Sequence, residues 1–186
     1  VRIMPGSSVT QEQIDALAVA SVGDAKYATL AEAFDAAQNG DTVTLLSDMT
    51  ADVVINKSIT LDLGGKTLTN TNAGKATISV SDGVTATVKN GNVMGGTSYY
   101  NIEVKDSKAN LTLTDVTATA GNTGSSMIDN WGTLTITSGE YSGGLNVVKS
   151  EEGSTLKISG GKFTLDSATS GYTATMVVYG DTTISG

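Results

Sequence analysis

The sequence contains no cysteine and no histidine, one proline, and one arginine at Arg2. Without cysteine there can be no disulfide framework and no thiolate metal site. Without histidine the commonest general base and metal ligand near neutral pH is missing. Basic residues number 11 against 19 acidic ones, a formal charge of −8, which argues against a basic face for nucleic acid. No run approaches the ~18 apolar residues that a membrane-spanning helix needs. The first residues lack the charged-then-apolar order of a secretory leader. Large aromatic side chains are scarce: one Trp, two Phe and six Tyr in 186 residues. The expectation is therefore no cofactor, no metal, no nucleic-acid partner and no membrane insertion.

Small hydroxyl residues are abundant, with 28 Thr and 19 Ser, together about a quarter of the chain. An ordinary globular core would be thin at 39% apolar content. A fold that buries a narrow column of Val, Ile and Leu suits this composition better.

Residues 1–8 read as a tail, with Met4-Pro5-Gly6 as a turn. Thr10 and Gln13 form a capping box and Val9 with Ile14 a hydrophobic staple, which predicts a helix over about residues 11–20. Gly23-Asp24 breaks it. Leu30, Ala33, Phe34 and Ala37 then fall at i, i+3, i+4 and i+7, with Thr29 as cap, Glu32 three residues later and Asn39-Gly40 as the stop. This second helix needs a partner for its apolar stripe, and the strands that follow provide one. The division expected is a tail and attachment helix over 1–23, with Ile14 and Leu17 as attachment residues. A capping helix over 24–40 and a repeat domain over 41–186 follow.

From residue 41 the helical period gives way to a recurring unit: apolar-x-apolar, a turn, and another apolar residue five positions on. It matches Leu61-Asp62-Leu63 with Leu68, Ala86-Thr87-Val88 with Val93, and Leu111-Thr112-Leu113 with Ala118. Leu134-Thr135-Ile136 with Tyr141 and Leu156-Lys157-Ile158 with Phe163 continue the series, and Thr182-Thr183-Ile184 opens a partial copy. A second apolar strand precedes most of these anchors, as at Ile78–Val80, Ile102–Val104, Met127-Ile128, Val147-Val148 and Val177-Val178. A period in the twenties is the mark of a solenoid. A strand of three residues is unstable alone, but stacked ~4.8 Å from its copy it completes its hydrogen bonds and buries its aliphatic side chains. The fold expected is all-β: a three-sided, right-handed parallel β-helix of about six rungs with short N-terminal helices, one of them capping the solenoid.

The segment 27–68, YATLAEAFDAAQNGDTVTLLSDMTADVVINKSITLDLGGKTL, resembles the entry of right-handed parallel β-helix domains of the pectin-lyase-like type. GTLTITSGEYSG (132–143) and STLKISGGKFTL (154–165) are similar to rungs of non-catalytic β-helices in bacterial surface proteins and phage appendages. The resemblance implies an architecture more than an activity, because this fold hosts many activities. Together with the acidic, polar composition it implies extracellular, cell-surface or virion exposure. It also implies attachment to neighbouring subunits through the N-terminal segment, with a homo-oligomer as one form of assembly.

Three surface readings follow. An enzyme acting on polysaccharide, as in much of the resembled superfamily, would need clustered carboxylates. The outward column expected between the paired anchors reads Asp62, Thr87, Thr112, Thr135, Lys157 and Thr183; the corner column reads Gly65, Asn90, Asp115, Ser138 and Gly160. Neither places carboxylates on adjacent rungs, so no catalytic residue is assigned. Ranks of threonine at Thr85/Thr87, Thr112/Thr114, Thr133/Thr135/Thr137 and Thr173/Thr175 resemble the binding face of ice-binding solenoids, although an irregular period is expected to break a flat lattice. The third reading is contact with extracellular glycans by aromatic residues at turns, with Trp131, Asn130, Tyr99 and Tyr100 as candidates. Tyr141 and Phe163 are expected inside, and Glu140 with Lys162 is expected to form a cross-rung ion pair. The chain stops at Ile184-Ser185-Gly186 inside what reads as a rung, so it is expected to be the ordered part of a longer or assembled protein. The reading reached is a non-enzymatic structural or adhesive β-helix, with a polysaccharide-degrading lyase or hydrolase or its inactive carbohydrate-binding relative as runner-up and an ice-binding solenoid as a minor alternative.

Overall fold

The computed structural model describes residues 10–97, 99–165 and 173–185. Two helices stand at the N-terminal end, α1 (Gln11–Leu17) and α2 (Leu30–Ala36). Both carry the predicted capping boxes: Thr10 with Gln13, and Thr29 with Glu32, where each hydroxyl accepts from the third residue's N–H and that residue's side chain bonds back. Both helices are shorter than predicted. Of the expected staple on α1, Val9 and the Ile14 side chain lie outside the described residues, and Leu17 is 47% exposed. On α2 the predicted stripe holds, for Leu30, Ala33 and Ala37 are buried in the core cluster and Phe34 packs against it. Lys57 closes the end of α2: its ammonium donates to the carbonyls of Phe34, Asp35 and Ala37 at 2.9, 2.8 and 2.8 Å. These are carbonyls that a helix terminus leaves without intrahelical partners, and a cation there also suits the helix dipole.

Between the helices lies an element that the sequence reading does not contain. β1 (Ala20–Val22) and β2 (Ala25–Tyr27) form an antiparallel hairpin about Gly23, and β1 pairs antiparallel with β3 (Thr42–Leu45). Gly23-Asp24 is thus a hairpin turn as well as a helix stop.

The remaining strands, numbered in chain order, stack in parallel into three walls. The first wall runs through β3, β6 (Thr60–Asp62), the first halves of β9 (Thr85–Met94) and β11 (Asn110–Thr119), β13 (Thr133–Ile136), β16 (Thr155–Ile158) and β19 (Asp181–Ile184). The second runs through β4 (Met49–Thr50), β7 (Thr67–Thr69), the second halves of β9 and β11, β14 (Gly139–Ser142) and β17 (Lys162–Thr164). The third is a separate sheet of β5 (Val53–Ile55), β8 (Ile78–Val80), β10 (Ile102–Val104), β12 (Ile128–Asn130), β15 (Asn146–Ser150) and β18 (Ala174–Val178). The chain is a parallel β-solenoid.

Strand alternation sends every second residue inward. Val43, Leu61, Val88, Leu113, Ile136 and Ile158 therefore form one buried column along the first wall. Val53, Ile78, Ile102, Ile128 and Val148 form another along the third. On the second wall Leu68, Val93, Ala118, Tyr141 and Phe163 point in as expected; Tyr141 is 1% exposed and stacks on Phe163 at a centroid distance of 5.1 Å. The Tyr141 hydroxyl donates to the Ser138 carbonyl at 2.9 Å, and burial pushes its phenol pKa up. Fully burying each such aliphatic side chain is worth roughly 1.5–3 kcal/mol, an upper figure when the unfolded chain is compact.

The corner between the first and second walls explains one register error. Asp62 aligns with Lys89 and not with Thr87, because Leu61 pairs with Val88. The repeat reading fixed the distance from anchor to next wall at five residues. The first corner is two residues longer, with Gly64 and Gly65 at φ 58° and 75°, so Leu63 sits buried in the corner. The next two corners turn on single residues, Asn90 at φ 57° and Asp115 at φ 52°. These are the residue types that enter left-handed backbone at least cost after glycine. Asp62 consequently pairs with Lys89 at 3.2 Å and accepts from Asn90.

Two further expectations change on the outer surface. Glu140 does lie beside Lys162 in the register, yet no ion pair joins them. Thr173 and Thr175 belong at the start of the third wall, away from the other threonine ranks. Among the described residues no helix is long and apolar enough to cross a membrane.

Candidate functional site

The three walls differ in what they present. On the first wall the outward column reads Thr42, Thr60, Thr87, Thr112, Thr135, Lys157 and Thr183, in register throughout. The irregular period leaves this register intact. Length variation is absorbed instead in the corner at Gly64-Gly65 and in the connections that enter and leave the third wall, where 143–145 is shorter than 120–127 and 131–132 shorter than 105–109.

On the third wall the outward column reads Val54, Ser79, Glu103, Asp129, Lys149 and Val177. This column places carboxylates on adjacent rungs, Glu103 beside Asp129, at the ~4.8 Å spacing of neighbouring strands. Neither of the two columns read from the sequence contains this pair. Glu151 follows at the end of β15, and its carboxylate is ion-paired with Lys149. Glu103 accepts from the Ser79 hydroxyl at 3.1 Å and lies 3.9 Å from Lys105. Among the described residues no group of three or more acidic side chains converges to hold a metal ion.

Asp129 is the unusual member. Its place in the strand points it outward, yet it is 1% exposed, so its neighbours close over it. One carboxylate oxygen, Oδ2, accepts from the Trp131 indole Nε1–H at 2.7 Å. The other, Oδ1, is buried without a hydrogen-bond partner. Burial pushes the carboxyl up to about 6; the Trp131 bond opposes that rise, and Glu151 adds to it. A buried carboxylate with one unsatisfied oxygen costs stability, and such groups gather at functional sites.

The aromatic candidates surround this carboxylate. Trp131 is 46% exposed although its indole N–H is tied to the buried Asp129. Tyr99 and Tyr100 pack against each other at 4.6 Å with a tilt of 56°. Burial raises both phenols, then Glu103 for Tyr99 and Asp129 for Tyr100, which places the pair over the acidic column. Shallow grooves flank them. One is lined by Ser79, Tyr99, Glu103 and Lys105, and the other by Tyr100, Ser125, Lys149 and Tyr179.

The pair is held from the next rung. Asn122 donates to the carbonyls of Tyr99 at 2.8 Å and Gly96 at 3.3 Å, while its own oxygen accepts from Gly124 and Ser125. The two loops approach so closely that a Cβ on Gly121 would lie 2.2 Å from the Gly95 carbonyl oxygen. Only glycine allows that approach.

Asn130 is the candidate that the structure removes. It is 0% exposed and sits in an inward column beside Ser150. Its amide donates to Ser150 Oγ at 2.9 Å and to the Thr155 carbonyl at 3.1 Å, and it accepts from the Gly132 N–H. It supports the turn beneath Trp131 and cannot meet a ligand. Asp129, Glu103 and Lys149 were missed, although each stands between two buried residues in a strand the sequence reading had located. The arrangement offers a flat aromatic face, hydroxyl groups and charged acceptors and donors along one wall.

The fold and this patch define a parallel β-solenoid with an aromatic and acidic wall. No protein-family model matches the chain, and neither a curated protein nor a solved structure does so.

Proposed function

We propose that this chain is a non-catalytic structural β-helix displayed outside the cell, on a bacterial surface or as a phage appendage, that contacts extracellular glycans through its third wall. The observation that carries the reading is Trp131. An indole face is open to solvent while its N–H is anchored to a buried carboxylate, so the platform is ordered before a ligand arrives. Preorganisation of this kind lowers the ordering cost of binding. A saccharide ring stacks its C–H face on the indole and bonds its hydroxyls to Glu103, Lys149 and the tyrosine phenols. The acidic, polar exterior supports exposure to a wet environment, and the N-terminal segment is the proposed attachment side. The test is a glycan array with the intact chain, followed by calorimetry on the strongest glycan. Trp131→Ala is expected to weaken binding at least tenfold; unchanged binding would refute the site.

A polysaccharide-degrading enzyme is the second reading, favoured by one observation. Glu103 and Asp129 stand on adjacent rungs, and Asp129 has the raised pKa of a general acid. Burial of Asp129 weighs against it, since an acid must reach the leaving oxygen. Polysaccharide turnover that disappears in Asp129→Asn would establish it. Ice binding takes its support from the in-register threonines of the first wall, which Lys157 and the Asp62–Lys89 pair interrupt. No thermal hysteresis in solution would remove it.

A further inference from the structure

We propose that Asp129 is a positioning residue for Trp131, and that through it ligand binding on the third wall responds to pH although Asp129 itself meets no ligand. The inference rests on the glycan reading only for what binds, and the coupling of the two residues stands by itself. Its basis is geometric: a 2.7 Å bond from the indole N–H to Oδ2, a carboxylate 1% exposed, and an Oδ1 with no partner.

An ionised acceptor makes a hydrogen bond roughly twice as strong as a neutral one. At neutral pH the indole N–H therefore faces a carboxylate, and the ring is fixed. The groups facing Asp129 set when that changes. On β10 Glu103 stands on the adjacent rung, with Lys105 just beyond the strand. On β15 Lys149 is aligned with Asp129, and Glu151 follows it. From the 95–101 loop, Tyr99 and Tyr100 lie over the column. Glu151 and Glu103 oppose a third negative charge, and Lys149 favours it. Burial adds the larger push, so the carboxyl takes up a proton near pH 6, well above an ordinary aspartate. Protonation removes the charged acceptor, and a proton on Oδ1 turns the unpartnered oxygen into a donor. The indole is then held less firmly, and the platform loses part of its preorganisation.

Trp131 is the only tryptophan in the chain, so its emission reports this site alone. The experiment is an intrinsic-fluorescence titration of the intact chain from pH 7.5 to 4.5, without ligand, on the wild type and Asp129→Asn. The expected result is a single transition with a midpoint near 6 in the wild type and a flat profile in the variant. A flat wild-type profile, or a transition that persists in Asp129→Asn, would overturn the proposal. Carbon-13 NMR of the side-chain carboxyls of the unmodified chain gives the Asp129 midpoint without any substitution; a midpoint below 4.5 overturns the proposal equally. A second arm measures binding of a neutral gluco-oligosaccharide as the probe at pH 7.5 and 5.0. A several-fold weaker affinity at pH 5.0 in the wild type, absent in Asp129→Asn, supports the coupling to binding, and equal wild-type affinities at the two pH values overturn that part. A clear fluorescence transition in a chain that binds nothing on a glycan array would refute the glycan reading and leave the Asp129–Trp131 coupling established.

Discussion

The first and third walls are built from the same stacked unit and differ in what the outward positions carry. The first wall repeats threonine rung after rung, a residue that fits a pleated, half-exposed surface, and its charged positions are paired or isolated. The third wall carries Glu103, Asp129 and Lys149 in one column, buries a carboxylate without full hydrogen bonding, and brings four aromatic side chains to its flanks. The first wall is what stability alone would select. The third gives up stability at one position, and natural proteins tolerate that where a site is needed. The difference is made by the connections between the second and third walls, which deliver Tyr99 and Tyr100 to one wall only.

Four predictions sharpen this contrast. Largest is Leu113→Ala, in the inward column of the first wall. It should cost about 2–5 kcal/mol by removing buried methylenes and leaving a cavity. Because the core is shared, denaturant unfolding should show one cooperative loss that affects both walls; separate transitions would show that the walls fold independently.

Asp129→Asn is expected to act in the opposite direction. A folded pKa near 6, raised above the ordinary aspartate value of 3.8, means that this group favours folding most below pH 3.8. That contribution is lost as pH rises through about 6. At pH 7.5 the ionised carboxylate therefore costs on the order of 2–3 kcal/mol. Asparagine keeps an acceptor for the indole and sheds the charge, so thermal unfolding at pH 7.5 should shift upward, and the gain should shrink towards pH 4. A variant less stable than the wild type at pH 7.5 would remove the claim that stability is sacrificed here.

Next comes Lys57→Met, which leaves three carbonyls at the end of α2 without their donor. A loss of about 1–3 kcal/mol is expected in chemical denaturation. Hydrogen exchange should rise first in α2 and the β1–β2 hairpin, with the third wall unmoved. Smallest is Thr135→Val on the first wall, expected within about 0.5 kcal/mol of wild type and silent in glycan binding. A clear binding loss there would move the functional surface to the wrong wall.

Much of this architecture is legible in the sequence because it rests on periodic burial. The anchors at Leu111/Leu113 and Leu134/Ile136, the inward Tyr141 and Phe163, and both capping boxes are local patterns with one physical solution. The register at Leu61 is not legible, since the corner with two glycines is two residues longer and its buried Leu63 stands at the expected five residues from Leu68. Nor was the hairpin at 20–27, whose strands have three residues each and show no alternation. The aromatic half of the site was readable from residue type at the turns. Its acidic half was not, because Glu103, Asp129 and Lys149 are 26 and 20 residues apart in sequence and meet only through stacking. Asn130 misled for a related reason: a polar residue beside a turn looks exposed until its strand is known to face the core.

The most direct test of the central claim is a chemical-shift map of the backbone amides during titration with a glycan retained from the array. Binding at the third wall predicts shifts confined to β10, β12 with the Trp131-Gly132 turn, β15 and the connections that carry Tyr99, Tyr100 and Asn122, with the threonine positions of β9, β11 and β13 unchanged. Shifts centred on the first wall, or spread evenly over the solenoid, would contradict it.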